Sequence, residues 1–127
     1  MPENNVIEQR SHIFALRIIK AYKYLCKEKS EHVLSKQLLR SGTSVGAMIR
    51  KAKFAQSRAD FVNKMSIALK EANETLYWIE LLYESDYIDN NVFKSIHTEA
   101  DEITSILASI VKSTKANSLK FDSNSYI

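Results

Sequence analysis

The sequence predicts an all-α protein, an antiparallel up-down-up-down four-helix bundle that assembles as a homo-oligomer. Three observations point there. The 127 residues include two glycines and one proline, Pro2, too few for the turns of a sandwich, barrel or α/β fold. Apolar residues recur at spacings of three, four and seven along four stretches, the period of a helix with one buried face. Polar breaks with capping residues separate those stretches. A chain of this length fits one domain with its own core, placed at 1–116, with a polar, aperiodic tail at 117–127 expected to be flexible.

The first helix is expected over roughly 4–28, with Ile7, Phe14, Ile18, Ala21 and Leu25 on one face. The second is expected over roughly 31–56, capped by Ser30, with Leu34, Leu38, Val45, Ile49 and Ala52 as its stripe. The third is expected over roughly 58–85, where Ser57 followed by Asp60 resembles a capping box. Its stripe is Phe61, Met65, Ala68, Leu69, Ala72, Leu76, Ile79 and Tyr83. The fourth is expected over roughly 90–115, capped by Asp89 or Asn90, with Val92, Phe93, Ile96, Ala100, Ile103, Leu107 and Ile110 inward. Helices two and three are expected to be the longest. Short connections favour antiparallel neighbours.

Both glycines lie in "LLRSGTSVGAMIRKAK", Leu38 to Lys53, four residues apart. A phosphate-binding loop would need a preceding strand and a Lys-Ser/Thr pair after its last glycine. Here Ala47 and Met48 follow Gly46. A helix break is the stronger rival, since each glycine costs about 1 kcal/mol in a helix interior. However, the apolar phase continues through the stretch. One long helix is therefore expected, kinked at most, with Gly42 and Gly46 forming a small-residue notch for helix packing.

Charge is unevenly distributed. The net charge is +3, but residues 1–60 carry 12 Lys/Arg against 5 Asp/Glu, while residues 61–127 carry 6 against 10. On helix two, Lys36, Arg40, Arg50 and Lys51 fall opposite the apolar stripe, with Lys53 on the flank and Phe54 in the middle. On helix one, Arg17, Lys20, Lys23 and Lys27 also face away from the core, as does Arg10. Solvated helices ordinarily carry cations, but they mix the signs, as Lys70 among Glu71, Glu74 and Glu80 does. Basic faces on two successive helices, with an aromatic beside them, suit phosphate-backbone binding. On helix three, Ile67, Trp78 and Leu81 fall outside the core stripe on a shared flank. They are assigned to an oligomer interface, against the alternative that a wide core stripe or the tail covers them.

Catalysis finds little support. A di-iron bundle needs Glu-x-x-His, but Gln9, Lys29 and Lys94 precede His12, His32 and His97 by three residues. His97 beside Glu99 reads as a surface pair. Cys26 reads as an inert thiol beside the core. No enzyme activity, metal or cofactor is expected. The opening "MPENNVIEQR" lacks the regions of a signal peptide, and no apolar run reaches the ~18–20 residues that span a bilayer. With a single cysteine, the expectation is a cytoplasmic protein with no membrane partner.

The stretches "LSKQLLRSGTSVGAMI" and "AQSRADFVNKMSIALKEANETLYWIELL", then "YI" before a last amphipathic helix, resemble a bacterial family. It is the four-helix-bundle family named for open reading frames inside intervening sequences of 23S ribosomal RNA genes. The resemblance runs from about Phe14 to Lys115. It carries Ser41, Gly42, Ser44 and Gly46 onto the small-residue segment of helix two. Gln56, Ser57, Asp60 and Phe61 match the start of helix three, and Glu71, Glu74, Tyr77 and Trp78 its later half. Met48 and Lys51 depart from positions where the family commonly has Asn and Glu. The family also resembles the accessory variability protein of diversity-generating retroelements, a nucleic-acid-binding homopentamer that works with a reverse transcriptase. The resemblance thus implies a pentamer. It adds a reverse transcriptase or another protein to RNA or DNA as candidate partners, but the retroelement role itself is not carried over. The expected function is non-enzymatic, phosphate-directed nucleic-acid binding with little sequence specificity. The alternative is an adaptor oligomer whose partner is a protein.

Overall fold

The structure, a computed structural model, describes residues 2–125, with side chains described over 6–117. Four helices follow one another: α1 (Pro2–Lys29), α2 (Leu34–Lys53), α3 (Arg58–Glu84) and α4 (Asn90–Ser125). No strand occurs among the described residues. Each helix packs on its sequence neighbour, and α1 also meets α4, so the four form a bundle around one core. No helix among the described residues is long and apolar enough to cross a membrane.

Most of the predicted stripes make that core, with two changes. Leu82 is buried in place of the expected Tyr83, which is only half-buried, and Val92, expected inward, is exposed at the start of α4. Ile7, Phe14, Ile18 and Leu25 of α1 are buried with Leu38, Val45, Ile49 and Ala52 of α2. Met65, Ala68, Ala72, Leu76, Ile79 and Leu82 of α3 join Ile96, Ala100, Ile103, Leu107 and Ile110 of α4. Full burial of an aliphatic side chain of this size stabilises by about 1.5–3 kcal/mol. Amphipathic packing, more than helix propensity, therefore holds the elements.

Three boundary expectations change. Helices two and three are not the longest. α2 has 20 residues and α3 27, against 28 in α1 and 36 in α4. α4 continues past the expected end near 115, so the expected tail is helical as far as Ser125. The flexibility expected of that tail concerns side chains that, beyond 117, lie outside the described residues. Ser30 does not cap α2. It sits at φ 52°, in the left-handed region, where α1 ends.

Glu31 caps α2 instead. Its carboxylate accepts the amide hydrogens of Ser35 at 2.7 Å, Leu34 at 3.1 Å and Val33 at 3.2 Å. These are amides that a helix start leaves without partners. Burial alone would raise the Glu31 pKa, but the three amides and the Ser35 hydroxyl outweigh it, and the carboxyl titrates below its usual range. The other caps follow the sequence. The Ser57 hydroxyl accepts from the Asp60 amide at 3.0 Å, and Asp60 accepts from Gln56 N–H at 3.2 Å. Asp89 accepts from Val92 N–H at 2.8 Å.

α2 runs unbroken through both glycines. A Cβ on Gly42 would come within 2.8 Å of two Ile18 carbons, a separation real side chains do not reach. On Gly46 it would stand 3.5 Å from the Ser11 carbonyl and hydroxyl oxygens, an ordinary contact. Only Gly42 is required by helix packing.

Candidate nucleic-acid interface

The ten residues predicted to touch nucleic acid do not form one surface. Arg40 is removed from the set. Its guanidinium reaches across to α3, 3.1 Å from Glu71 and in a short bond to Glu74. The hydrogen bond that it donates to Glu74, then the charge of Glu71, hold its pKa above the ordinary value. Beneath it the Ser41 and Thr75 hydroxyls pair at 2.9 Å in the buried interface. Arg40 is thus part of the α2–α3 joint and not an uncompensated cation. Arg17, half-buried, donates to Ser95 Oγ of α4 at 2.7 Å. Arg10 pairs with Glu99 and Glu102 of α4, and Lys53 lies 3.5 Å from Glu8 of α1. His97 does not pair with Glu99. It sits 2.9 Å from Glu80 of α3.

The remaining cations fall into two groups. Lys20, Lys23 and Lys27 are exposed on the later half of α1, and Lys36 is exposed near the start of α2. Arg50 and Lys51 are exposed near the end of α2. At 1.5 Å per residue, Lys36 and Arg50 are about 21 Å apart along the axis. Among the described residues, neither Arg50 nor Lys51 meets a carboxylate within ion-pair distance.

Arg50, Lys51 and Phe54 come together at the corner where α2 ends and α3 begins. Phe54 closes α2 and is 74% exposed, with Lys53 Nζ 5.9 Å from its ring centre. Gln56, Ser57, Asp60 and Lys64 complete the corner. Lys64 was not anticipated, because the third helix read as an ordinary solvated face of mixed charge. Its ammonium lies 2.9 Å from Asp60, and that bond, then the Gln56 amide, lowers the Asp60 pKa. The acid at this corner is therefore already neutralised. On the other side of α2, Arg50 and Lys51 also border a groove against α1.

The predicted oligomer residues are half-buried within the protomer. Trp78 packs against the core, as the wide-stripe alternative supposed, and Ile67 and Leu81 are intermediate in exposure. The Trp78 indole N–H is buried without an acceptor among the described residues. Tyr77, its ring 5.2 Å from the indole, is 53% exposed. A second apolar stripe lies elsewhere and was missed. Val6, Ile13 and Leu16 are exposed on the outer face of α1. Their spacing of seven and then three was visible in the sequence, but Glu8, Gln9, Arg10, Ser11 and His12 interleave with it. No group of three or more metal-ligating side chains occurs among the described residues.

A family model described as 23S rRNA-intervening sequence protein matches residues 3–109. Among solved structures, the chain is similar to a crystal structure from Bacteroides thetaiotaomicron VPI-5482, described as a protein with unknown function from the S23 ribosomal protein family. The two are 55% identical with a TM-score of 0.85, over 87% of this chain and 98% of that one. No curated protein matches the chain.

Proposed function

The chain belongs to the 23S rRNA-intervening sequence protein family, and on that premise we propose a cytoplasmic, non-enzymatic protein that binds RNA or DNA through its phosphates. The observation that carries this reading is the α2–α3 corner, where Arg50 and Lys51 stand exposed beside Phe54 with no carboxylate paired to them among the described residues. Cations so placed release condensed counterions from a phosphate backbone. An exposed ring beside them offers a face on which bases stack. Phosphate contacts position a strand without reading its sequence, so little specificity is expected. The family description names where such genes lie, and gives no ribosomal role by itself.

The protomer reads as antiparallel. Ile18 lies at Gly42 and Ser11 at Gly46, while Arg10 meets Glu102 and Arg17 meets Ser95; in each pair of helices one chain ascends as the other descends. Self-association, with the pentamer that the resemblance implies, would repeat the basic corner in every copy and add phosphate contacts. The exposed stripe Val6, Ile13 and Leu16 favours a second reading, an adaptor that binds a protein partner. Fluorescence anisotropy with labelled DNA and RNA separates the two. Affinity is expected to fall by about 10³ or more between 50 and 200 mM salt if about six phosphates are engaged. Absence of binding at 50 mM salt would leave the adaptor ahead. Light scattering that finds a monomer at micromolar concentration would remove self-association.

A further inference from the structure

We infer that the groove between α1 and α2 holds a base of a bound single strand while Arg50 and Lys51 hold its phosphate, an assignment that rests on the nucleic-acid reading above. The groove encloses about 930 Å³, within the range of small-ligand sites. Ser11 and Gly46 form its floor, His12 and Ile13 stand on the α1 side, and Ala47 and Arg50 on the α2 side.

Three features select the occupant. The first is the glycine. A helix-interior glycine costs about 1 kcal/mol relative to alanine, and at Gly46 packing does not demand it, since a Cβ would meet Ser11 at an ordinary 3.5 Å. Its absence deepens the floor. The second is the wall. Ile13 is 56% exposed and Ala47 and His12 are exposed, so a flat ring can lie between an aliphatic side chain, an imidazole and bare helix backbone. The third is charge. Among the described lining residues the one carboxylate is Glu8, 3.5 Å from Lys53 Nζ. Arg50 and Lys51 therefore set the sign of the groove, which suits an anion joined to an apolar ring. A nucleotide of a single strand has that chemistry. A base inside a duplex is stacked and paired, and does not enter.

The test uses the full chain and two variants of its contacts. Labelled oligo-uridylate and oligo-thymidylate are compared with an abasic strand of equal length and charge. Ala47→Leu places a side chain in the groove from an exposed position, and circular dichroism confirms that it folds. It is expected to weaken the base-bearing strands about tenfold, within the stacking energy of one base, and to leave the abasic strand unchanged. Arg50→Glu with Lys51→Glu weakens all three strands. Photo-cross-linking of 5-iodouridine strands is expected to mark the tryptic peptides 11–17 or 41–50. Cross-links confined to 54–58, or an Ala47→Leu variant that binds oligo-uridylate as tightly as wild type, overturn the groove and leave the phosphate reading standing. Failure of the wild type to bind any strand overturns both.

Discussion

The two halves of α2 share one axis and differ in what their polar residues do. In the first half, Ser35 is tied to the Glu31 cap, Arg40 clamps Glu71 and Glu74, Ser41 meets Thr75, and Gly42 seats Ile18. In the second half, Gly46 has room for a methyl, Ala47 is exposed, and Arg50, Lys51 and Phe54 face outward. A cation at a given helical angle is structural or available depending on what the neighbouring helix places opposite it. α3 sets Glu71 and Glu74 against the first half, and Asp60 with its own Lys64 near the second. Most residues that carry the family resemblance belong to the structural set. Ser41, Gly42, Ser57, Asp60, Phe61, Glu71, Glu74 and Trp78 hold helices, caps and core together, so the resemblance speaks to the fold more than to a binding surface.

The contrast breaks if the two halves respond alike. The largest expected effect is on binding. Arg50→Glu with Lys51→Glu should weaken single-stranded ligands at least about 100-fold at 50 mM salt, because two attractions become repulsions. Arg40→Ala, by anisotropy on the same strands, should change affinity less than about threefold. An equal loss from both would show that the clamp opens to bind.

Next come the glycines. Gly42→Ala forces a methyl against Ile18 and should cost about 1–3 kcal/mol in urea unfolding, the usual range for overpacking. Gly46→Ala meets no clash and should stabilise by up to about 1 kcal/mol through helix propensity. Loss of stability in both would mean that the second half is packed as tightly as the first.

The cap follows. Glu31→Gln should cost about 1–2 kcal/mol, the scale of a lost helix cap. The pH dependence has a definite sign. The folded carboxyl titrates below its usual range, so its contribution is complete above the unfolded value of about 4.3 and is lost as pH falls through the folded one. Thermal unfolding from pH 7 down to 3 should therefore show a steeper acid decline in wild type than in the variant. The smallest effect is the Arg40 clamp itself. At an exposed position, Arg40→Ala should cost less than about 1 kcal/mol, read from the same urea curves.

Much of the fold was legible because burial imposes a helical period on the chain. Ile7 through Leu25 and Ile96 through Ile110 could be placed on a face from spacing alone, and Ser57 and Asp89 announced their helices. Glu31 was not legible, because a glutamate beside a serine reads as the first turn of the helix it in fact precedes. Ser30 was misread because left-handed helix ends usually announce themselves with glycine. In the candidate site, exposure of Arg50, Lys51 and Phe54 was correctly placed by phase. The fate of Arg40 was not, since Glu71 and Glu74 lie more than thirty residues away and only tertiary packing brings them over.

Trp78, the one indole of the chain, gives the molecule its own optical reporter. Half-buried against the core with Tyr77 at 5.2 Å, it receives excitation from that ring and emits from an apolar setting. Unfolding exposes it to water and moves emission to longer wavelength. Were copies to associate over this flank, their separation would leave the core contacts in place and alter only what lies over its outer edge. A dilution series and a urea series followed at one wavelength would therefore distinguish loss of any such assembly from loss of fold without a label.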